Sequence, residues 1–135
     1  MLIELAFTEE FHYPDDPSGI TIPVWLTYGE EDVRVSAKID TGSEVCLFSY
    51  EIGLKLAVPI ETGLPAVLNS LGGPIEAFGH ELLIQAGDLC LKSLVYFAKY
   101  RGLPRNILGR QGWLRNLRLA IVDYDNVLYL GVYDS

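Results

Sequence analysis

Apolar and polar residues alternate with a period of two along much of the chain, the pattern of strands with one buried face. Residues 22–28 (IPVWLTY) and 33–39 (VRVSAKI) carry it, and the turn Gly29-Glu30-Glu31-Asp32 between them predicts a hairpin. Residues 1–7 alternate loosely and read as a strand. Residues 8–21 (TEEFHYPDDPSGIT) are acidic, contain Pro14, Pro17 and Gly19, and read as a loop. A further strand is expected over 45–48. Ser49 has the chemistry of a helix cap, and Ile52 and Leu56 share one face of a short helix over 50–57.

Residues 66–71 and 75–85 flank Gly72-Gly73-Pro74 and predict a second hairpin. Residues 89–98 (LCLKSLVYFA) read as a strand or a pair of strands, and Pro104 ends that segment. Beyond Ile107-Leu108-Gly109, residues 110–117 (RQGWLRNL) fit a short helix with Trp113 and Leu117 inward. A hairpin around Asp125-Asn126 joins 118–123 to 127–133. The latter strand (VLYLGVY) is apolar on both faces, which suits a core strand and a strand buried between subunits equally. Short strands at regular spacing make the chain mainly β, closed or sandwiched, with one or two short helices.

At 135 residues the length suits one domain, 1–135, able to bury a core without staples. Half the residues are apolar and mean hydropathy is +0.23, which excludes a disordered chain and hints at an interface. The apolar runs are far shorter than the ~20 residues a membrane helix needs, so no membrane partner is expected. A formal net charge of −8 argues against a nucleic-acid partner. The first residues, MLIELAF, include Glu4 and no basic start, unlike a secretory leader. Cys46 and Cys90 lie in apolar runs and read as two buried free thiols of a cytoplasmic protein rather than a disulfide. His12 and His80 lack companions at ligand spacing, so no metal is expected. Arg101, Arg105, Arg110, Arg115 and Arg118 read as a solvated face rather than an anion site.

One polar turn stands out. In KIDTGSEVCLF, residues 38–48, an apolar strand runs into Asp40-Thr41-Gly42-Ser43 and another leaves it, so an ionisable carboxylate sits between buried flanks. D-T-G alone is a weak signal. The context adds Leu71-Gly72-Gly73-Pro74-Ile75 at a hairpin tip and, some sixty residues after the triplet, Asn106-Ile107-Leu108-Gly109-Arg110.

With these motifs in this order, the chain from about residue 22 onward resembles the retropepsin-like aspartic proteases, single-lobe relatives of the retroviral proteases. It is similar in particular to the small stand-alone members found in prokaryotes. The resemblance implies a retropepsin-like closed β-barrel. It implies peptide-bond hydrolysis by two carboxylates about 3 Å apart that share one proton around a water. One acts as base on the water, and the other as acid toward the carbonyl. This chain has a single D-T-G, so the resemblance implies a homodimer with Asp40 of each copy on the two-fold axis. Thr41 would hydrogen-bond across that axis, and Gly42 would leave room for substrate backbone. Ser43 would hydrogen-bond a carboxylate.

Glu44 would pair with Arg110, bracing the loop beside Ile107, Leu108 and Gly109. Residues 66–79 would form a flap that binds substrate through Gly42 below and Leu71, Gly72, Gly73, Pro74 and Ile75 above. Pro74 removes a backbone donor that viral flaps have. Peptides or proteins with apolar residues beside the cut are the expected substrates, and no cofactor is implied. The other reading of the same residues is a catalytically silent module that binds peptides or proteins.

Overall fold

The computed structural model describes residues 1–134. Strands β1 (Glu9–His12), β2 (Thr21–Tyr28), β3 (Glu31–Ile39) and β4 (Leu47–Phe48) precede helix α1 (Tyr50–Lys55). Then come β5 (Leu64–Ser70), β6 (Gly73–Ala86), β7 (Leu89–Ala98), β8 (Asn106–Leu108), β9 (Leu117–Val122) and β10 (Val127–Val132). The order β2-β3-β8-β4-β7-β6 closes on itself because β2 also pairs with β6, and β5 adds to the outside of β6. Closure removes the free edges that a six-strand open sheet would expose. This is the retropepsin-like barrel that the motifs imply.

The period of two builds the barrel. In β2, Ile22, Val24 and Leu26 are buried while Pro23 and Trp25 face out. They meet Val35, Ala37, Ile84, Val95, Phe97, Leu108 and Trp113 in one core. Trp113 has no exposed surface and Leu117 almost none, so both point inward as expected. The helix expected around them shrinks to a 3-10 turn at Leu114–Asn116, because Gly112 at φ +93° breaks helical geometry just before it. Ser49 does cap α1, its hydroxyl accepting the Ile52 amide at 3.2 Å. The helix stops at Lys55 rather than 57, since Ala57 turns to φ 56°.

Three expectations change at the periphery. Residues 1–7 form no strand, and a strand instead forms at Glu9–His12, inside the segment read as a loop. It exists through pairing with β10 (Glu9 opposite Leu130, His12 opposite Val127) rather than through its own pattern. The sheet β1-β10-β9 lies beside the barrel, and β10 buries Val127, Leu128 and Leu130 within its own chain. Cys90 is exposed, because β7 turns Leu89 inward and its neighbour outward; Cys46 is buried, and both thiols are free. Among the described residues, no helix is long and apolar enough to cross a membrane.

Candidate active site

β3 delivers Asp40 to one end of the barrel. The Asp40 amide donates to Leu108 O of β8 at 3.0 Å, extending the parallel pairing of Ile39 with Leu108 by one bond. The chain then turns. Ser43 N–H donates to Asp40 O at 3.1 Å, and Gly42 N–H donates to Asp40 Oδ1 at 2.9 Å. This Asx-type turn fixes the carboxylate orientation from within its own loop. Oδ2 has no hydrogen-bond partner among the described residues. Asp40 is half-buried, while Thr41 and Gly42 are exposed. A Cβ on Gly42 would lie 3.3 Å from Asp40 Oδ1, so glycine leaves the carboxylate unobstructed.

A second loop, which follows β8, holds the first. Arg110 N–H donates to Ser43 O at 2.9 Å, and Gln111 N–H donates to Glu44 O at 2.8 Å. Val45 and Gln111 form a parallel bridge. Gly109 passes so close that a Cβ there would sit 2.1 Å from Val45 O and 2.8 Å from Ser43 O. Its N–H points at Cys46 Sγ at 3.4 Å, and the thiol points on to Gln111 O at 3.7 Å. Burial pushes the Cys46 thiol up to about 11, with the Gly109 N–H acting in the opposite sense. The thiol is therefore a neutral packing element under the loop.

Two expected contacts are absent. Glu44 and Arg110 line the same cleft but form no ion pair among the described residues; Glu44 Oε1 accepts from Gln111 Nε2 at 3.4 Å instead. Both side chains are exposed, where an ion pair gains little against the entropy of holding two long side chains. The bracing is done by backbone. Ser43 Oγ donates to Val45 O at 2.7 Å, not to a carboxylate, the local side-chain-to-backbone bond that serine favours in turns.

The hairpin β5–β6 is the flap-like element, with Ser70 opposite Gly73 and a two-residue tip of Leu71 and Gly72. Gly73 adopts φ +111°, which few other residues tolerate, and Ser70 Oγ donates to its carbonyl at 2.6 Å. Leu71 is fully exposed, and Gly72 and Pro74 are exposed too. No hydrogen bond ties the tip to the Asp40 loop among the described residues. Ile75 behaves differently. With Leu68, Ile107, Tyr96 and Leu103 it packs on Leu47, Ala77 and Ala98, in an apolar cluster separate from the main core. Leu108 and Gly109 are buried beneath the loop.

Sequence reasoning missed Leu47, Ala77, Ala98 and Leu103 as walls of this cluster. Nothing in their local pattern separates them from core residues. Asn106 belongs to the motif at 106–110, but its role is not legible there: its side-chain carbonyl accepts the Ser49 amide at 3.0 Å and ties β8 to the start of α1. Among the described residues, no group of His, Cys, Asp and Glu side chains converges that could hold a metal.

Solved structures share the fold, which is retropepsin-like. A retropepsin-like aspartic protease from Rickettsia conorii superposes with a TM-score of 0.65 at 16% identity, covering 91% of this chain and 98% of its own. The EIAV protease, solved in complex with the inhibitor HBY-793, superposes with a TM-score of 0.56 at 20% identity, covering 73% of this chain and 88% of its own. No protein-family model and no curated protein matches the sequence.

Proposed function

We propose that this chain, as one domain of residues 1–135, is an aspartic endopeptidase that works as a homodimer. The observation that carries the reading is the Asp40 carboxylate. It is oriented by Gly42 N–H at 2.9 Å, stands on an exposed loop of a retropepsin-like fold, and belongs to the one Asp-Thr-Gly triplet in the sequence. A two-fold partner supplies the missing half. Two Asp40 groups brought to about 3 Å cannot both ionise, so they hold one proton between them. The ionised member takes a proton from a water that attacks the peptide carbonyl. The protonated member hydrogen-bonds the carbonyl oxygen and later returns its proton to the departing nitrogen. The protons belong to the pair rather than to either residue.

Exposed Thr41 is available for contact across the axis, next to each Asp40. An extended peptide lies between this floor and the β5–β6 hairpin, gripped in strand fashion. The cluster around Leu47, Ile75 and Ile107 offers an apolar wall, which favours apolar side chains near the cut. Two unpaired thiols, one of them on the surface, accord with a reducing cytoplasmic compartment.

The test is a digest of a proteome-derived peptide mixture by wild type and Asp40→Asn at several protein concentrations, across acidic to neutral pH. New termini from wild type alone, rising more steeply than linearly with protein, are the expected result. Peptides retained but uncut by both proteins would assign the fold to binding.

A further inference from the structure

A hollow of about 180 Å³ lies on the outer face of the barrel, and its lining includes no residue of the Asp40 turn, the return loop or the β5–β6 hairpin. Three pieces of chain build it: Ser18 from the strap before β2, Thr21, Ser36 and Lys38 from β2 and β3, and Arg105 and Asn106 at the entry to β8. The period of two makes its floor. Ile22, Ala37 and Ile39 enter the core, so Thr21, Ser36 and Lys38 turn outward, with Thr21 opposite Lys38. The strap then positions the lysine. Ile39 N–H donates to Ile20 O at 2.9 Å, and Gly19, at φ +87°, lays its backbone on the Lys38 stem, where a Cβ would come within 3.2 Å of Cε. Lys38 is half-buried as a result.

The hollow is rich in donors, and no Asp or Glu lines it. Lys38 and Arg105 form no ion pair among the described residues, although four other ion pairs do form. The Thr21 and Ser36 hydroxyls have no hydrogen-bond partner among the described residues. Asn106 uses its carbonyl on the Ser49 amide at 3.0 Å, which leaves its NH2 group to donate. Asp16, on the strap, is engaged elsewhere: its Oδ1 accepts the Ser18 amide at 2.9 Å and the Ser18 hydroxyl.

We propose that this hollow binds a tetrahedral oxyanion, phosphate or the phosphate head of a small monoester, and that the anion pins the strap to β3 and β8. The reading is independent of peptide cleavage. A phosphate has oxygens for donors from all three pieces, with Lys38 as a point charge and the Arg105 fork as a bidentate partner. A planar carboxylate can meet only some of them. The volume is below the ~300 Å³ at which pockets begin to enclose drug-sized ligands, so the site takes a head group and not a nucleotide. On a chain of net charge −8 nothing draws anions in general, and recognition rests on this local set of donors. Lys38 stands two residues before Asp40, and Arg105 four before Gly109, so the bound anion clamps both segments that lead into the candidate active site.

The test is calorimetry on the full chain in phosphate-free buffer at fixed ionic strength, with inorganic phosphate as the probe. Saturable binding is expected, with amide hydrogen exchange slowed over 16–21 and 105–107. Lys38→Gln and Arg105→Gln should each weaken binding about tenfold, and Ser36→Asp, which puts a carboxylate into the hollow, should abolish it. Circular dichroism checks that each variant is folded. Arg115→Gln, in the cleft beside the Asp40 turn, should bind as wild type does. No saturable binding, affinity kept in both cation variants, or a loss confined to Arg115→Gln overturns the proposal. So does acetate binding as tightly as phosphate. Glycerol phosphate separates the sources: tighter binding than phosphate assigns a small ester, weaker binding assigns the free ion, and either supports the site. Sedimentation covers the remaining case, since phosphate binding that vanishes as the chain dimerises assigns the hollow to a subunit contact and overturns the proposal.

Discussion

Gly109 and Val45 approach so closely that any side chain on Gly109 would collide with the Val45 carbonyl, 2.1 Å from a Cβ. The collision partner is backbone and cannot swing aside. Gly109→Ala should therefore pry the return loop from the Asp40 turn and cost about 3 kcal/mol. Urea unfolding measures the loss. A variant as stable as wild type would mean that the two loops are not locked as described.

Asp40→Asn keeps the shape of the side chain and its acceptor for Gly42 N–H, but it cannot share the proton. Peptide cleavage should fall by about 10⁴-fold while the fold persists. Circular dichroism and a quantitative digest report the two quantities separately. Appreciable cutting by the variant would move the chemistry away from Asp40.

The two cysteines should behave differently. A thiol reagent at pH 8 should modify exposed Cys90 quickly and leave Cys46 untouched until the protein is unfolded. Burial holds the folded Cys46 thiol near 11 against 9.0 when unperturbed, so its protonated form is favoured by folding. The stabilisation it gives is complete below pH 9 and fades as pH climbs through 11. Intact-mass spectra over time decide the matter; equal labelling of both sites in the native state would refute the packing role of Cys46.

Tyr13 clamps the end of β1 to the turn between β9 and β10, its hydroxyl donating to Asp123 Oδ1 at 2.5 Å. Burial first, then the Asp123 carboxylate, pushes the phenol up to about 12 from 10.0. A folded value above the unfolded one places this contribution fully below pH 10, to be lost as pH rises toward 12. Tyr13→Phe should melt lower at neutral pH and lose less stability than wild type between pH 9 and 12. Parallel melting curves for the two proteins across that range would contradict the clamp.

Most of the barrel was legible because burial and period coincide. Ile22, Val24 and Leu26 alternate with outward residues, Ser49 announces α1, and Gly72-Gly73-Pro74 marks the β5–β6 hairpin, whose tip falls one residue earlier, at Leu71 and Gly72. What stayed hidden depends on distant partners. β1 contains a single large apolar residue, Phe11, and is a strand only because β10 pairs with it. The Asp40 turn could be found from its motif, but its brace could not. Charge suggested Glu44 with Arg110, whereas the structure uses the main chain of Arg110 and Gln111, which carries no side-chain signal. Cys90 looked buried because its neighbours are apolar, yet strand alternation alone would have turned it outward.

The same brace sets an order of events during synthesis. Asp40 leaves the ribosome long before Arg110 and Gln111, the residues whose amides tie its loop in place. The sheet that joins Glu9 to Leu130 closes later still, between strands far apart in sequence. A growing chain thus carries Asp40 on an untied loop until the strand and return loop some seventy residues farther on have emerged as well.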